Sequence, residues 1–355
     1  MTTQQAPSAD PGDAFSRYAA GWRALLEGPR AETGQTPKEV IWAKNKARLY
    51  HYLPTTTERF PVPILMVYAL INRPYVLDLM PGNSLVEYLV GQGFAVYLLD
   101  GGIPGDEDGQ LSFDAYVLDY LPAAVRKVLR HAHASDVTLF GYCMGGTMSA
   151  MYAALFPDPP LKNLVLLTTP IDFAPGKLGM HGAWTREGVF DPDWLVDAFG
   201  NIPGALIDVA NRMLKPLPNY IGTYVTMWDR LHQGKSLDTW RAMNKWVNDG
   251  IPFAGAAFRQ WIRDLYQQNK LVRGELRLRG RRVDLANITC AALNIAARRD
   301  HICALPQAEG TLALTGSTDT EFVLLDAGHV GLLTGAEAKK ELWPRLRRWL
   351  GPRSR

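Results

Sequence analysis

Val137-Thr138-Leu139-Phe140-Gly141-Tyr142-Cys143-Met144-Gly145-Gly146-Thr147 decides how this chain folds. An apolar, β-leaning run over 136–140 stops at Gly141, and a small-residue segment of helical character, 146–156, begins directly after it. Between strand and helix the chain must turn so tightly that the central residue is strained and its side chain projects outward. The positions two before and two after it have little room for a Cβ, which accounts for Gly141 and Gly145. The turn sets the Cys143 thiol at a helix N-terminus, where unpaired N–H groups can hold an oxyanion. Framed by strand and helix, Gly-x-Cys-x-Gly reads as a turn presenting a cysteine nucleophile. A buried structural cysteine in a glycine-rich turn is the plainer alternative.

Around this stretch, strands alternate with helices. Residues 39–43 and 48–53 read as an antiparallel hairpin, and 64–68, 95–99, 136–140, 161–168, 290–296 and 321–325 as further strands. Helical patterns fall at 15–26, 75–91, 113–131 and 336–350, the first expected on the outside of the domain. Alternation of this kind predicts an α/β fold, a mainly parallel sheet with helices on both faces. Between 170 and 284 the alternation breaks into helices at 191–199, 204–214, 220–232, 237–247 and 253–268, with six of the 10 Trp. An insertion after the sixth strand is where α/β-hydrolases carry a cap over the active site. The expected organisation is a disordered start at 1–13, a hydrolase core over 14–173 and 285–355, and a helical cap over 174–284. The six cap tryptophans, Trp184, Trp194, Trp228, Trp240, Trp246 and Trp261, are expected mostly to form the cap's own core.

The composition, 355 residues with 47% hydrophobic and 21% charged, is that of a globular protein. A formal net charge of +3 gives no sign of a nucleic-acid binder. Three cysteines, Cys143, Cys290 and Cys303, make no disulfide framework. Neither a secretory leader nor an apolar run of the ~20 residues that span a bilayer is evident. A soluble, cytoplasmic chain with no transmembrane segment is expected. The sequence shows no His/Cys/carboxylate cluster with metal-ligand spacing, so neither metal nor cofactor is expected.

A nucleophile of this kind is followed along the chain by an acid and then a base. Asp300, just past the strand at 290–296, and His329, in Gly328-His329-Val330-Gly331 just past the strand at 321–325, fit that order. His329 would take the Cys143 proton, and Asp300 would fix its tautomer. Of the other histidines, His131 and His133 fall at a helix end and read as solvated, His51 as a strand residue and His232 as a cap residue. His181 lies in the loop entering the cap. Met144 N–H is one oxyanion donor, and the other is expected from 69–72, with Ile71 the candidate. Asn72, Tyr142, His301 and Trp246 are candidate pocket residues. Thiol-for-thiol exchange at a thioester is nearly balanced in energy, which suits an enzyme that takes an acyl group from acyl-CoA and passes it on. A basic run, Arg273, Arg277, Arg279, Arg281 and Arg282, either meets coenzyme A phosphates or is a solvated charged hairpin.

These motifs resemble those of polyhydroxyalkanoate synthases, in particular the short catalytic subunits of class III. The resemblance rests on Gly141, Cys143, Gly145 and Gly146, on 68–79, on Thr169-Pro170-Ile171-Asp172-Phe173, on Asn201-Ile202-Pro203-Gly204, on Asp300-His301 and on 328–331. The chain departs from the pattern at Gly101-Gly102 and over 302–310. The resemblance implies an α/β-hydrolase fold with a helical cap and polymerisation of (R)-3-hydroxyacyl-CoA, 3-hydroxybutyryl-CoA foremost, with release of CoA. Cys143 would hold the growing polyester chain, His329 would activate it, and Asp300 would help deprotonate the incoming hydroxyl. It further implies a second, non-catalytic synthase subunit, a homodimer, and association with polymer granules. A cysteine thioesterase or polyester hydrolase of the same fold, or a non-catalytic granule-associated paralogue, would share these motifs.

Overall fold

The computed structural model describes residues 11–26, 31–56, 60–156, 159–174, 176–177 and 179–355. Its main sheet has eight strands: β1 (Lys38–Lys44), β2 (Ala47–Tyr52), β3 (Phe60–Val67), β4 (Phe94–Asp100), β5 (Val137–Tyr142), β6 (Leu161–Leu167), β7 (Ala291–Ala297) and β8 (Thr320–Leu325). They lie in the order β1-β2-β4-β3-β5-β6-β7-β8. The β1–β2 and β2–β4 pairs are antiparallel, and every other pair is parallel. Each expected strand is present. β5 is buried along its whole length, which is why its sequence is a continuous apolar run rather than an alternating one. β1, at the open edge, carries Lys38 and Lys44 and is half-exposed, a charge pattern that discourages edge-to-edge pairing.

Two helices precede the elbow on the sheet: α2 (Leu85–Gly91) and α3 (Leu121–Ala132), the latter entered through a π turn at Tyr116–Tyr120. The helix expected at 75–91 is shorter than its apolar pattern suggests. Pro74–Leu77 is a 3₁₀ turn, Asp78–Met80 pairs with Asn83–Ser84 in a small ribbon, and only then does α2 begin. Gly82, at φ +69, makes the ribbon's bend. Ser84 Oγ accepts from Glu87 N at 2.9 Å and donates to the buried Asp78 carboxylate at 2.8 Å. A serine cap three residues before a glutamate therefore marks the true helix start.

After the elbow comes α4 (Met144–Leu155), buried at every residue. Its small side chains (Gly145, Gly146, Ala150, Ala153, Ala154) let it pack closely on the sheet. The inserted segment forms α5 (Pro192–Phe199), α6 (Gly204–Met213), α7 (Thr223–His232), α8 (Asp238–Val247) and α9 (Gly255–Gln260), and α10 (Trp343–Arg353) closes the fold. Residues 1–10 of the expected disordered start lie outside the described residues, whereas Pro11 to Asp13 open the first helix, α1 (Pro11–Leu26). That helix packs on the insertion: Tyr18 stacks on Trp228 of α7 at 5.8 Å between ring centroids. Gly21 leaves the space that the Trp228 ring occupies.

The cap tryptophans do not mostly form a core of their own. Trp228 and Trp240 do so, with Met227 and Leu237. Trp184 and Trp261 line a chamber walled mostly by the inserted segment, Trp246 lines the pocket over Cys143, and Trp194 is 71% exposed. Short amphipathic helices bury too little among themselves, so their aromatic faces turn toward the hydrolase core.

Candidate active site

Cys143 sits between β5 and α4 at φ 55 and ψ −128, a backbone region that costs a non-glycine residue on the order of 1–3 kcal/mol. The turn is held by Cys143 N donating to Leu167 O of β6 at 3.0 Å and by Gly146 N donating to Cys143 O at 2.9 Å. A Cβ on Gly145 would run into the Val67 carbonyl of β3, and one on Gly141 into the Gly146 backbone. Backbone cannot move aside as a flexible side chain can. A Cβ on Gly146 would instead strike the Thr169 side chain. Gly145→Ala is therefore expected to cost roughly 3 kcal/mol of folding stability. Gly91→Ala, whose Cβ would meet nothing, should change it by under about 1 kcal/mol. Urea unfolding of the two variants checks the contrast.

Asp300 and His329 meet above this turn, each on the loop leaving its strand. His329 Nδ1 lies 2.6 Å from Asp300 Oδ2. Asp300 Oδ1 accepts from Ile302 N at 2.8 Å and Cys303 N at 2.9 Å, so the carboxylate is fixed from both sides. Both side chains are buried. Tyr142 donates from its hydroxyl to the His329 carbonyl at 3.3 Å, and Tyr68 stacks on Tyr142 at 5.6 Å. Burial acts to lower the His329 pKa, but the Asp300 charge and the neighbouring Cys143 outweigh it and hold the pKa above the usual histidine value. An imidazole so placed readily takes and keeps a proton.

Around Cys143 lies a pocket walled among others by Tyr68, Asn72, Tyr142, His329 and Trp246. Two further spaces share its walls. Through Ile71, Ile207 and Asn211 it borders an apolar chamber lined by Trp184, Phe190, Phe258 and Tyr266. Through Asn72, Asp208 and Trp246 it borders a more polar space with Arg212, Asn219 and Asn244 in its wall. Asn72, Tyr142 and Trp246 line this pocket. Ile71 lines both the pocket and the apolar chamber, and Met144, the first residue of α4, lines the chamber. His301 lies apart from the pocket over Cys143, in the wall of the polar space. His181 is in the apolar wall, where burial lowers its pKa to about 4.

Tyr68, Ile207, Asp208 and Asn211 escaped sequence reasoning. With Gly204, which also lines the pocket, the last three share one face of α6, and their i, i+3, i+4, i+7 spacing was the available signal. The basic run is not aimed at the pocket. Arg279 pairs with Asp119 through contacts of 2.8 and 2.6 Å, Arg281 donates to Leu155 O at 2.6 Å, and Arg273 pairs with Glu275 at 2.9 Å. Arg277 donates to Gly280 O and Arg282 to Gly274 O within the hairpin. These contacts hold a surface ribbon in the manner of a charged hairpin.

A family model for the alpha/beta hydrolase fold matches residues 62–336, and one described as the poly-beta-hydroxybutyrate polymerase (PhaC) N-terminus matches residues 31–89. Solved structures share the fold. The putative non-heme bromoperoxidase BpoC of Mycobacterium tuberculosis superposes with a TM-score of 0.56 at 12% identity, over 88% of this chain and 97% of that one. A Paleococcus ferrophilus monoacylglycerol lipase gives 0.54 at 16%, over 86% and 99%. Among curated proteins, a poly(3-hydroxyalkanoate) polymerase subunit PhaC of Haloferax mediterranei is 40% identical over 94% of this chain and 68% of its own length. That of Allochromatium vinosum is 38% identical over 96% of both chains. With the hydrolase fold in place and likeness of this depth running almost end to end, the chain belongs to the PhaC family of poly(3-hydroxyalkanoate) polymerase subunits.

Proposed function

We propose that the chain polymerises (R)-3-hydroxyacyl-CoA into polyhydroxyalkanoate through Cys143, His329 and Asp300. Family membership makes it an acyltransferase with a CoA-thioester substrate and a polyester product. The observation that carries the mechanism is the Asp300–His329 pair set against Cys143, in a pocket that shares a wall with an apolar chamber. Cys143 Sγ attacks the thioester carbonyl, and its proton passes to His329. Met144 N–H and a peptide of the 69–72 loop, taken to be that of Ile71, hold the oxyanion. Collapse expels the CoA sulfur, which leaves as thiol with the proton from His329. For elongation, the 3-hydroxyl of one acyl unit attacks the thioester of another and gives its proton to the same base. Each such step forms one oxygen ester and frees one thiol. Water in place of that hydroxyl would make the enzyme a thioesterase, so an apolar chamber lining, which disfavours water, favours polymer.

Purified chain with (R)-3-hydroxybutyryl-CoA, alone and with a second, non-catalytic synthase subunit, tests the reading. CoA release is followed with a thiol reagent and the acyl product is identified. Polymer supports the proposal, and dependence on the added subunit supports a two-subunit enzyme. Free hydroxy acid alone would make the chain a thioesterase.

No helix among the described residues is long and apolar enough to cross a membrane. The cap nonetheless exposes Trp194, Phe199, Leu217, Ile221 and Val225 by half or more. We take these as the face that meets the polyester granule. Burying an aliphatic side chain contributes about 2 kcal/mol, so Leu217→Asp with Ile221→Asp should weaken sedimentation with polyhydroxybutyrate particles more than tenfold.

A further inference from the structure

Away from Cys143, three residues distant in sequence meet where the β1–β2 hairpin packs beside α3. Glu39 stands on β1, His51 on β2, and His131 in the last turn of α3. His51 Nδ1 lies 3.0 Å from Glu39 Oε1, and His131 Nε2 lies 3.9 Å from the same oxygen. One ligand atom from each of the three falls within 4.8 Å of the others. The two imidazole centroids are 4.6 Å apart, and His51 stacks on Tyr97 at 4.8 Å. His51 is buried, whereas the side chains of His131 and Glu39 are 38% and 53% exposed. The solvated helix-end reading of His131 thus gives way to a half-buried cluster reached from solvent.

We propose that Glu39, His51 and His131 hold one divalent first-row transition ion, which clamps the hairpin to α3. Two imidazole nitrogens and a carboxylate oxygen suit Zn²⁺ and its neighbours and leave a fourth position for water. Ligand atoms about 2.0–2.1 Å from a tetrahedral ion stand about 3.3–3.4 Å from one another. The observed 3.0 and 3.9 Å straddle that spacing, and with every pair within 4.8 Å, rotations of the Glu39 and His131 side chains would complete the set.

The protons fit as well. Tyr97 Oη lies 2.9 Å from His131 Nδ1. With Nδ1–H donating to that oxygen, the Nε2 lone pair faces Glu39, and the tyrosine orients the ring as outer partners of metal-bound histidines do. His51 binds through Nδ1 after shifting its proton to Nε2, and the carboxylate exchanges a hydrogen bond for the ion. Sequence spacing could not reveal the set, because its members sit at 39, 51 and 131 on three separate elements.

The full chain, freed of metal with a chelator and dialysed, is titrated with Co²⁺. The expected result is a saturable one-to-one visible absorption of tetrahedral type, displaced by Zn²⁺, and a rise of several degrees in Tm with Zn²⁺. His131→Gln and Glu39→Gln should abolish both responses while keeping the metal-free Tm near that of the parent. Both positions are partly exposed, so folding is not at stake. Absence of the absorption, or a Tm rise that survives both substitutions, would overturn the site.

Discussion

Cys143→Ala is expected to remove CoA release from (R)-3-hydroxybutyryl-CoA down to background, a fall of at least about 10⁴-fold, and to leave no polymer. The size follows from the proposed role. The sulfur is the atom that accepts the acyl group, and no neighbouring group can replace it. Cys303 is fully buried, and burial pushes its pKa well up; burial likewise raises that of Cys290, to about 11. Neither thiol is placed to act as a nucleophile near neutral pH. Alanine retains a Cβ at the strained position, so the elbow has no new reason to unfold. A thiol reagent at neutral pH should find one fast-reacting cysteine in the parent chain and none in the variant. CoA release that persists in Cys143→Ala would end the covalent mechanism, and a parent chain without a fast thiol would favour a retired site.

The parts of this fold that were legible in sequence are those governed by local chemistry. Gly141 and Gly145 announced the turn because backbone lies where their Cβ atoms would go. Asp300 and His329 were findable because parallel strands deliver their C-terminal ends to one rim, so a polar residue just after such a strand lands near the elbow. The start of α2 was misjudged because apolar periodicity over 75–91 hid the Ser84 cap and the Pro81-Gly82 bend. What stayed hidden depends on packing between distant elements. Nothing local says that Trp246 turns to the pocket while Trp240 turns inward, or that Arg279 finds Asp119 rather than a ligand. The meeting of His51 with His131 is of the same kind, set by how α3 crosses the hairpin.

Asp300→Asn should lower kcat by about 10⁴-fold with KM little changed, by analogy with the same exchange in a serine-protease triad. The reason lies in the two faces of the carboxylate. Oδ1 accepts from the N–H groups of Ile302 and Cys303, and Oδ2 faces His329 Nδ1. Asparagine must keep its carbonyl oxygen on the two backbone donors. Turning the amide over would set NH₂ against two N–H groups and leave buried donors unpaired, at about 1–3 kcal/mol each. Its NH₂ therefore points at His329, which must accept at Nδ1 and carry its proton on Nε2. That tautomer has no lone pair to receive the Cys143 proton. The substitution also removes one of the two influences that raise the His329 pKa against burial, so the ring should titrate lower. A purely structural role for Asp300 would change Tm but neither the tautomer nor the titration. The decisive readouts are thus kcat against KM, the alkylation rate of Cys143, and the ring-nitrogen NMR signals of His329. If Asp300→Asn keeps kcat within tenfold and His329 keeps its proton on Nδ1, the tautomer argument fails, and Asp300 does no more than shape the loop that carries Ile302 and Cys303.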